Sequence, residues 1–142
     1  MKQALARVLS ATGGFLLAVL WMDLMFDASY LRGESTAPAA AYYGHVTREA
    51  GWMTWLVAAV MVVTIVAVIL QARIATTPWW RRVVIAALAL GPIALALGVV
   101  FPAARRLAEG ADTLGLIAWS HVACFVSMAA FVAVQLRGSQ TG

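Results

Sequence analysis

Residues 51–71, GWMTWLVAAVMVVTIVAVILQ, form an apolar segment without a charged side chain. A helix needs about 20 consecutive apolar residues to cross the hydrocarbon core of a bilayer, and this segment has that length. Three other stretches have a similar length and composition, at residues 8–27, 83–101 and 114–136. The pattern predicts an all-α integral membrane protein, an antiparallel bundle of four transmembrane helices.

The composition of the chain also indicates a membrane protein. Its 142 residues are 63% hydrophobic and 11% charged, whereas about 25% of residues are charged in soluble domains. We expect one membrane domain, residues 1–142. The single cysteine, Cys124, excludes an intramolecular disulfide. The basic residues behind the net charge of +4 flank the apolar stretches, so we expect the lipid bilayer as a partner, and not nucleic acid.

Basic residues predict the orientation of the bundle. If the N-terminus is cytoplasmic, the inner side carries Lys2, Arg7, Arg73, Arg81, Arg82 and Arg137, and the outer side carries Arg32, Arg48, Arg105 and Arg106. This excess favours cytoplasmic N- and C-termini, with all acidic residues toward the outer side. We therefore expect a multi-pass protein of the cell inner membrane. Its first helix is expected to stay in place, because Trp21 and Asp23 occupy the position of a signal-peptide cleavage site.

The segment before residue 51 has a helical pattern of its own. Pro38 suits an early helical position, and Tyr42, His45 and Glu49 follow at helical spacing along one face. Two arrangements fit this pattern. Either the second transmembrane helix begins near Pro38 and projects beyond the bilayer, or a short interfacial helix breaks at Gly51. We favour one long helix.

Two aspartates in LWMDLMFDAS, residues 20–29, are the main candidates for function. An unpaired charge inside a membrane costs about 3 kcal/mol or more, so it indicates a paired or functional site. Asp27 lies at the predicted end of the first span, and we expect it to contact water as an interfacial carboxylate. Asp23 lies one turn deeper, about 6 Å by helical rise. His121 is predicted at a similar depth in the fourth span, so we predict an Asp23–His121 pair, either structural or acid–base.

Other polar side chains are predicted to gather around this pair on the outer side. The candidates to bind the polar head of a lipid-like molecule or quinone are Trp21, Asp27, Tyr42, His45 and Glu49, with Tyr43 beside Tyr42 as a further wall. Carboxylates and imidazoles on facing helices also bind zinc, iron or manganese. The candidate metal ligands are Asp23, His45, Glu49, His121 and Cys124.

Two cofactors can be weighed from the same residues. His121, Cys124 and Met128 have the ligand types that copper prefers, but they extend over nearly two helical turns. A haem with two histidine ligands would need His45 and His121, which are predicted at different depths. We assign no cofactor to the chain.

Small residues on the third span predict a close helix contact. Ala87, Gly91, Ala94 and Gly98 follow at steps of four, three and four, which places them on one face. Helices in a bilayer associate through close packing and polar contacts. We therefore expect this face to pack against a neighbouring helix.

The end of the third span, GVVFPAARRLA (98–108), and the last-span motif WSHVACF (119–125) resemble the anthrone oxygenase-like group of small bacterial membrane proteins. The resemblance covers the layout of the spans over most of the chain. It implies a four-helix membrane bundle and a role for His121. Only these features carry over, because the chain departs from the group's pattern at Ala103, Ala104 and Cys124.

These patterns leave two functions open. The leading hypothesis is an accessory or interaction subunit of a larger membrane complex or a homo-oligomer, or a binder of a lipid-like molecule. The alternative is a membrane oxidoreductase or oxygenase that acts on an aromatic or quinone-like substrate at the outer cluster, with or without a metal. In that enzyme Asp23 and His121 would be the acid–base partners. Whether the protein is an enzyme stays open at this point.

Overall fold

The computed structural model describes residues 2–33, 36–49 and 51–139. Within these ranges the protein is helical, without a β-strand. The helices are α1 (Lys2–Leu31), α2 (Ala37–Arg48), α3 (Trp52–Ile74), α4 (Trp79–Leu95), α5 (Phe101–Ala108) and α6 (Leu114–Ser139), and a π-helical turn, Ala96–Val100, joins α4 to α5. Four segments are long and apolar enough to cross a membrane: Gln3–Leu31, Trp52–Ile74, Trp79–Ala108 and Leu114–Arg137. The prediction of an all-α bundle with four transmembrane helices is confirmed.

The local sequence explains where the most apolar helix begins and ends. Gly51 has an extended conformation at the start of α3. At the other end Ala75 leaves the helix, and Pro78 immediately precedes α4. Proline has no backbone N–H, and helix N-termini leave their N–H groups without helical partners, so proline is well tolerated there. Trp79 and Trp80 follow with exposed rings, as expected for aromatic residues at a membrane interface.

The four spans form a ring of neighbouring helices. Both α3 and α6 pack against α1 and α4. We call the end where α1 begins, α6 ends and α3 turns into α4 the terminal end, and the opposite end the loop end. A core in the terminal half contains Leu9, Leu16, Ala67, Val68, Ala89, Met128 and Phe131. A second core at the loop end contains Ala39, Tyr43, Val100, Ala103, Ala104, Leu107, Leu114 and Ile117.

The short helix α2 closes the loop end of the bundle. It packs mainly against α5, and its residues Ala39 and Tyr43 enter the core there because they lie one turn apart on the same face. The preference for one long second helix was wrong, since α2 ends at Arg48 and α3 starts separately at Trp52. The break allows α2 to cover the interior of the bundle, where a straight extension of α3 would have projected away from it.

The small residues of α4 do not pack inside this chain. We call four exposed residues the small face of α4: Ala87, Gly91 and Ala94 in α4 itself, and Gly98 in the π-helical turn that follows it. A Cβ atom added at Gly91 or Gly98 would have no neighbour within 4 Å. The expectation that this face packs against another helix is therefore not met within the described part of the chain. The buried residues of α4 are Ala89, Pro92 and Ile93 instead.

Candidate polar site under helix α2

Asp27 lies inside a helix and not at its end. Helix α1 continues to Leu31, one turn beyond the predicted limit of the first span. The side chain of Asp27 is only 1% exposed. The prediction that Asp27 contacts water as an interfacial carboxylate was wrong, because the longer α1 and the covering helix α2 enclose it.

Both carboxylate oxygens of Asp27 have a close partner. The hydroxyl of Tyr43 donates a hydrogen bond to Oδ1 at 2.6 Å. The Nδ1 atom of His121 lies 2.6 Å from Oδ2. The imidazole nitrogen and the carboxyl oxygen share one proton in this contact, and the tautomer of His121 decides which of them donates it. We call these three residues the Asp27 network; it joins α1, α2 and α6.

Tyr43 is held in its protonated state by its surroundings. Burial raises the pKa of Tyr43 above its ordinary value of 10.0, and the hydrogen bond to Asp27 and the carboxylate charge raise it further. A phenol that stays protonated remains a hydrogen-bond donor to Asp27. The sequence had indicated the Tyr42–Tyr43 pair as a wall and had singled out Tyr42. The useful signal was the spacing of Ala39 and Tyr43, which places Tyr43 on the buried face of α2.

The predicted direct pair of Asp23 and His121 is not the one that forms. His121 is 5% exposed and its Nδ1 contacts Asp27. Asp23 is half-buried one turn away. It lines the same partly open cavity as His121, so the two side chains share an environment without being each other's hydrogen-bond partner.

This cavity is small. Its volume is about 80 Å³, and Asp23, His121, Cys124 and Met128 contribute to walls that are otherwise mostly apolar. Sites for cofactors and drug-sized ligands have volumes of roughly 300–1,000 Å³. The cavity has room for a few water molecules, and an aromatic or quinone ring would enter only if helices moved apart.

The sulfur atoms beside the cavity have structural contacts. The thiol of Cys124 donates to the backbone oxygen of Pro92 at 3.5 Å, and Met128 belongs to the terminal core. Across residues 2–33, 36–49 and 51–139, no group of three or more His, Cys, Asp or Glu side chains is arranged to hold a metal ion. The candidate ligands Asp23, His45, Glu49, His121 and Cys124 therefore do not converge on one centre there.

His45 and Glu49 lie away from the Asp27 network, whereas the ring of Tyr42 lies 5.3 Å from that of Tyr43, centroid to centroid. His45 Nδ1 is 3.3 Å from Glu49 Oε2, and both side chains are largely exposed on α2, at 66% and 70%. This i,i+4 pair on the surface does not join His121. The ring of Tyr42 packs against that of Phe26, with 5.3 Å between the ring centroids and an interplanar angle of 31°.

Trp21 packs at the surface of the bundle. Its ring lies 5.7 Å from that of Phe125, centroid to centroid, and its side chain is mostly exposed. It therefore does not line the cavity beside His121. Of the predicted outer cluster, Asp23, Asp27, Tyr43 and His121 come together, and Tyr42 packs against Tyr43.

The chain matches no protein-family model, no curated protein and no solved structure. The resemblance to anthrone oxygenase-like proteins stays a prediction.

Proposed function

We propose that this small polytopic membrane protein is an accessory subunit of a larger complex in the cell inner membrane. The small face of α4 is the surface on which a transmembrane helix of the partner packs. The observation that carries the proposal is the exposure of Gly91 and Gly98 in a membrane-spanning helix.

Glycine at positions 91 and 98 lowers helix stability, and no packing contact within the described part of this chain compensates for that loss. In a helix interior glycine is about 1 kcal/mol less favourable than alanine. At Gly13 the reason for glycine is internal, because an added Cβ atom would lie 3.0 Å from Val132 and 3.1 Å from Phe131. The space is open at Gly91 and Gly98, as it is at Gly14 and Gly115. Gly91 and Gly98 differ in sharing one exposed row with Ala87 and Ala94, which a close helix from another polypeptide would use.

The shape of the small face suits a helix. From Ala87 to Gly98 it extends about 16 Å by helical rise, or three turns. Exposed larger side chains accompany it, namely Val84, Leu97 and Phe101. Small residues with larger apolar neighbours allow two helix backbones to approach closely in lipid, where dispersion contacts replace the hydrophobic effect as the driving force.

The Asp27 network supports a structural role more than catalysis. Both oxygens of the Asp27 carboxyl group already have a hydrogen-bond partner, and the adjoining cavity of about 80 Å³ is too small for an aromatic substrate. A satisfied polar network of this kind holds α1, α2 and α6 together.

The alternative, an oxidoreductase or oxygenase for an aromatic or quinone-like substrate, retains one supporting observation. Asp23 and His121 line a common cavity, as an acid–base pair requires. For this enzyme to bind an aromatic substrate, the cavity beside His121 would have to widen. Titration of the purified protein with a short-chain quinone tests this alternative, and binding that is lost in Asp23→Asn would favour it over the accessory role.

Site-specific photocrosslinking in native membranes tests the accessory role. A benzophenone amino acid at position 94 should crosslink to one defined partner polypeptide, whereas the same group at position 63, exposed on α3, should crosslink only to lipid. Gly91→Leu should abolish the crosslink from position 94, and the matched change Val66→Leu should not. Crosslinks between two copies of this chain, or to lipid alone, would overturn the proposal.

A further inference from the structure

A large cleft opens at the terminal end of the bundle, far from the Asp27 network. Its volume is about 910 Å³, and all four spans contribute to its walls. This is within the range of roughly 300–1,000 Å³ found for ligand sites. The cleft is therefore large enough for part of an amphiphilic molecule, unlike the cavity beside His121.

The polar lining of the cleft is basic. Arg7 from α1 and Arg81 and Arg82 from α4 line it, and no aspartate or glutamate does. The two contacts between a histidine and a carboxyl group among the described residues, His45–Glu49 and His121–Asp27, lie at the end of α2 and in the Asp27 network. The positive charge of the cleft is thus not neutralised by a described carboxylate of the chain.

One of these arginines is held in place by the backbone. Arg82 Nε donates to the backbone oxygen of Thr77 at 2.8 Å, and its Nη1 donates to that of Ala72 at 3.4 Å. These carbonyls belong to the end of α3 and the following turn. The guanidinium is therefore positioned before any ligand arrives, which reduces the entropy lost when it binds an anion.

Deeper in the cleft the lining becomes neutral. Gln71 and Gln135 donate to each other's side-chain oxygen at 3.1 Å in both directions. Each amide retains a second N–H and a second lone pair. Val68 and Ile85 add apolar wall to the same cleft. Charge at the mouth and apolar wall inside are the arrangement that accommodates an amphiphile with an anionic head.

We propose that the cleft binds an anionic phospholipid, with its phosphate at Arg7, Arg81 and Arg82 and part of an acyl chain between the spans. Guanidinium groups bind phosphate oxygens through paired, charge-assisted hydrogen bonds. Basic pockets between transmembrane helices on the cytoplasmic side are known sites for such headgroups. This site is separate from the small face of α4 and does not depend on the accessory role.

Native mass spectrometry of the detergent-purified protein tests the proposal. The protein is equilibrated with equal amounts of phosphatidylglycerol and phosphatidylcholine, and the lipid that stays bound is identified. Wild-type protein should retain one phosphatidylglycerol in preference to phosphatidylcholine. Arg7→Gln/Arg81→Gln should weaken this binding roughly 30-fold, because each basic residue near anionic headgroups contributes about fivefold.

The matched control changes two arginines at the loop end. Arg105 and Arg106 are both exposed, and Arg105→Gln/Arg106→Gln removes the same net charge without touching the cleft. This variant should bind phosphatidylglycerol like the wild type. An equal loss in both double variants, or equal retention of the two lipids by the wild type, would overturn the proposal.

A soluble phosphate compound is the other ligand that these arginines could bind through its phosphate group. Competition with inorganic phosphate and with glycerol phosphate separates the two sources. Full displacement of the lipid by either compound at an equal concentration would overturn the lipid assignment. If Arg7→Gln/Arg81→Gln loses its helical circular dichroism, the single variant Arg81→Gln should still show about a fivefold weakening.

Discussion

Replacing Asp27 should destabilise the bundle far more than replacing Asp23. Asp27→Ala leaves His121 and the hydroxyl of Tyr43 buried without their shared partner. A buried hydrogen-bonding group left without a partner costs about 1–3 kcal/mol, so we expect Asp27→Ala to lower the free energy of unfolding by about 2–6 kcal/mol. Asp23 is half-buried at the cavity wall, and Asp23→Ala should cost less than about 1 kcal/mol.

Two further variants separate the two contacts of Asp27. Tyr43→Phe removes the hydrogen bond to Asp27 Oδ1 and should cost about 1–3 kcal/mol, because that buried oxygen is left without a partner. Asp27→Asn keeps the shape of the side chain but replaces one carboxyl oxygen with an NH2 group, which donates hydrogen bonds. The contact with either Tyr43 or His121 then loses its acceptor, unless the NH2 group donates to an unprotonated Nδ1 of His121. We expect Asp27→Asn to be intermediate between wild type and Asp27→Ala. A double-mutant cycle of Asp27→Ala and Tyr43→Phe should give a coupling energy of about 1–3 kcal/mol.

The assay is equilibrium unfolding in maltoside micelles with an increasing fraction of dodecyl sulfate, followed by far-ultraviolet circular dichroism. Helicity of each variant in the absence of dodecyl sulfate serves as the control for folding. A larger loss for Asp23→Ala than for Asp27→Ala would refute the reasoning, because it would make Asp23 the principal partner of His121. Additive effects of Asp27→Ala and Tyr43→Phe would refute their hydrogen bond.

Three other outcomes are expected. The folded state raises the pKa of Tyr43 above 10.0, so the stabilising effect of the protonated Tyr43 should be present below pH 10 and decline above it. The free energy of unfolding, measured from pH 9 to 11.5, should therefore fall less steeply in Tyr43→Phe than in the wild type. Gly13→Leu should lower the unfolding midpoint by steric overlap, whereas Gly91→Leu should leave the isolated protein unchanged; equal midpoints would contradict this. Gln71→Leu should cost about 1–3 kcal/mol by leaving Gln135 unpaired, and the double change to leucine should recover most of that loss in the same assay.

The sequence was informative where the physical cause is local. A run of apolar residues long enough to cross a bilayer is visible without any tertiary contact, and all four spans were found from it. The break between α2 and α3 has no comparable local cause. An extended Gly51 and a continuous helix are both compatible with the local sequence, and the packing of Ala39 and Tyr43 on the loop-end core favours the break.

The choice between the two aspartates depended on the tertiary structure. Residues 23 and 27 lie one turn apart and nearly on the same face of a helix, separated by about 40°. Helical periodicity therefore does not distinguish them. The partner of His121 depends on where α1 ends relative to α6. The first span was predicted to end one turn too early, and this error gave Asp23 as the partner of His121 in place of Asp27.

The sequence by itself determined that this chain is an all-helical membrane protein with four spans, because length and hydropathy act residue by residue along the chain. Only the tertiary structure decided which polar groups meet and which faces stay open. Asp27 is enclosed because α2 folds over it, and the small face of α4 is exposed because Pro92 and Ile93 face inward instead. Those outcomes depend on how helices distant in sequence rotate and align against one another, which no local pattern specifies.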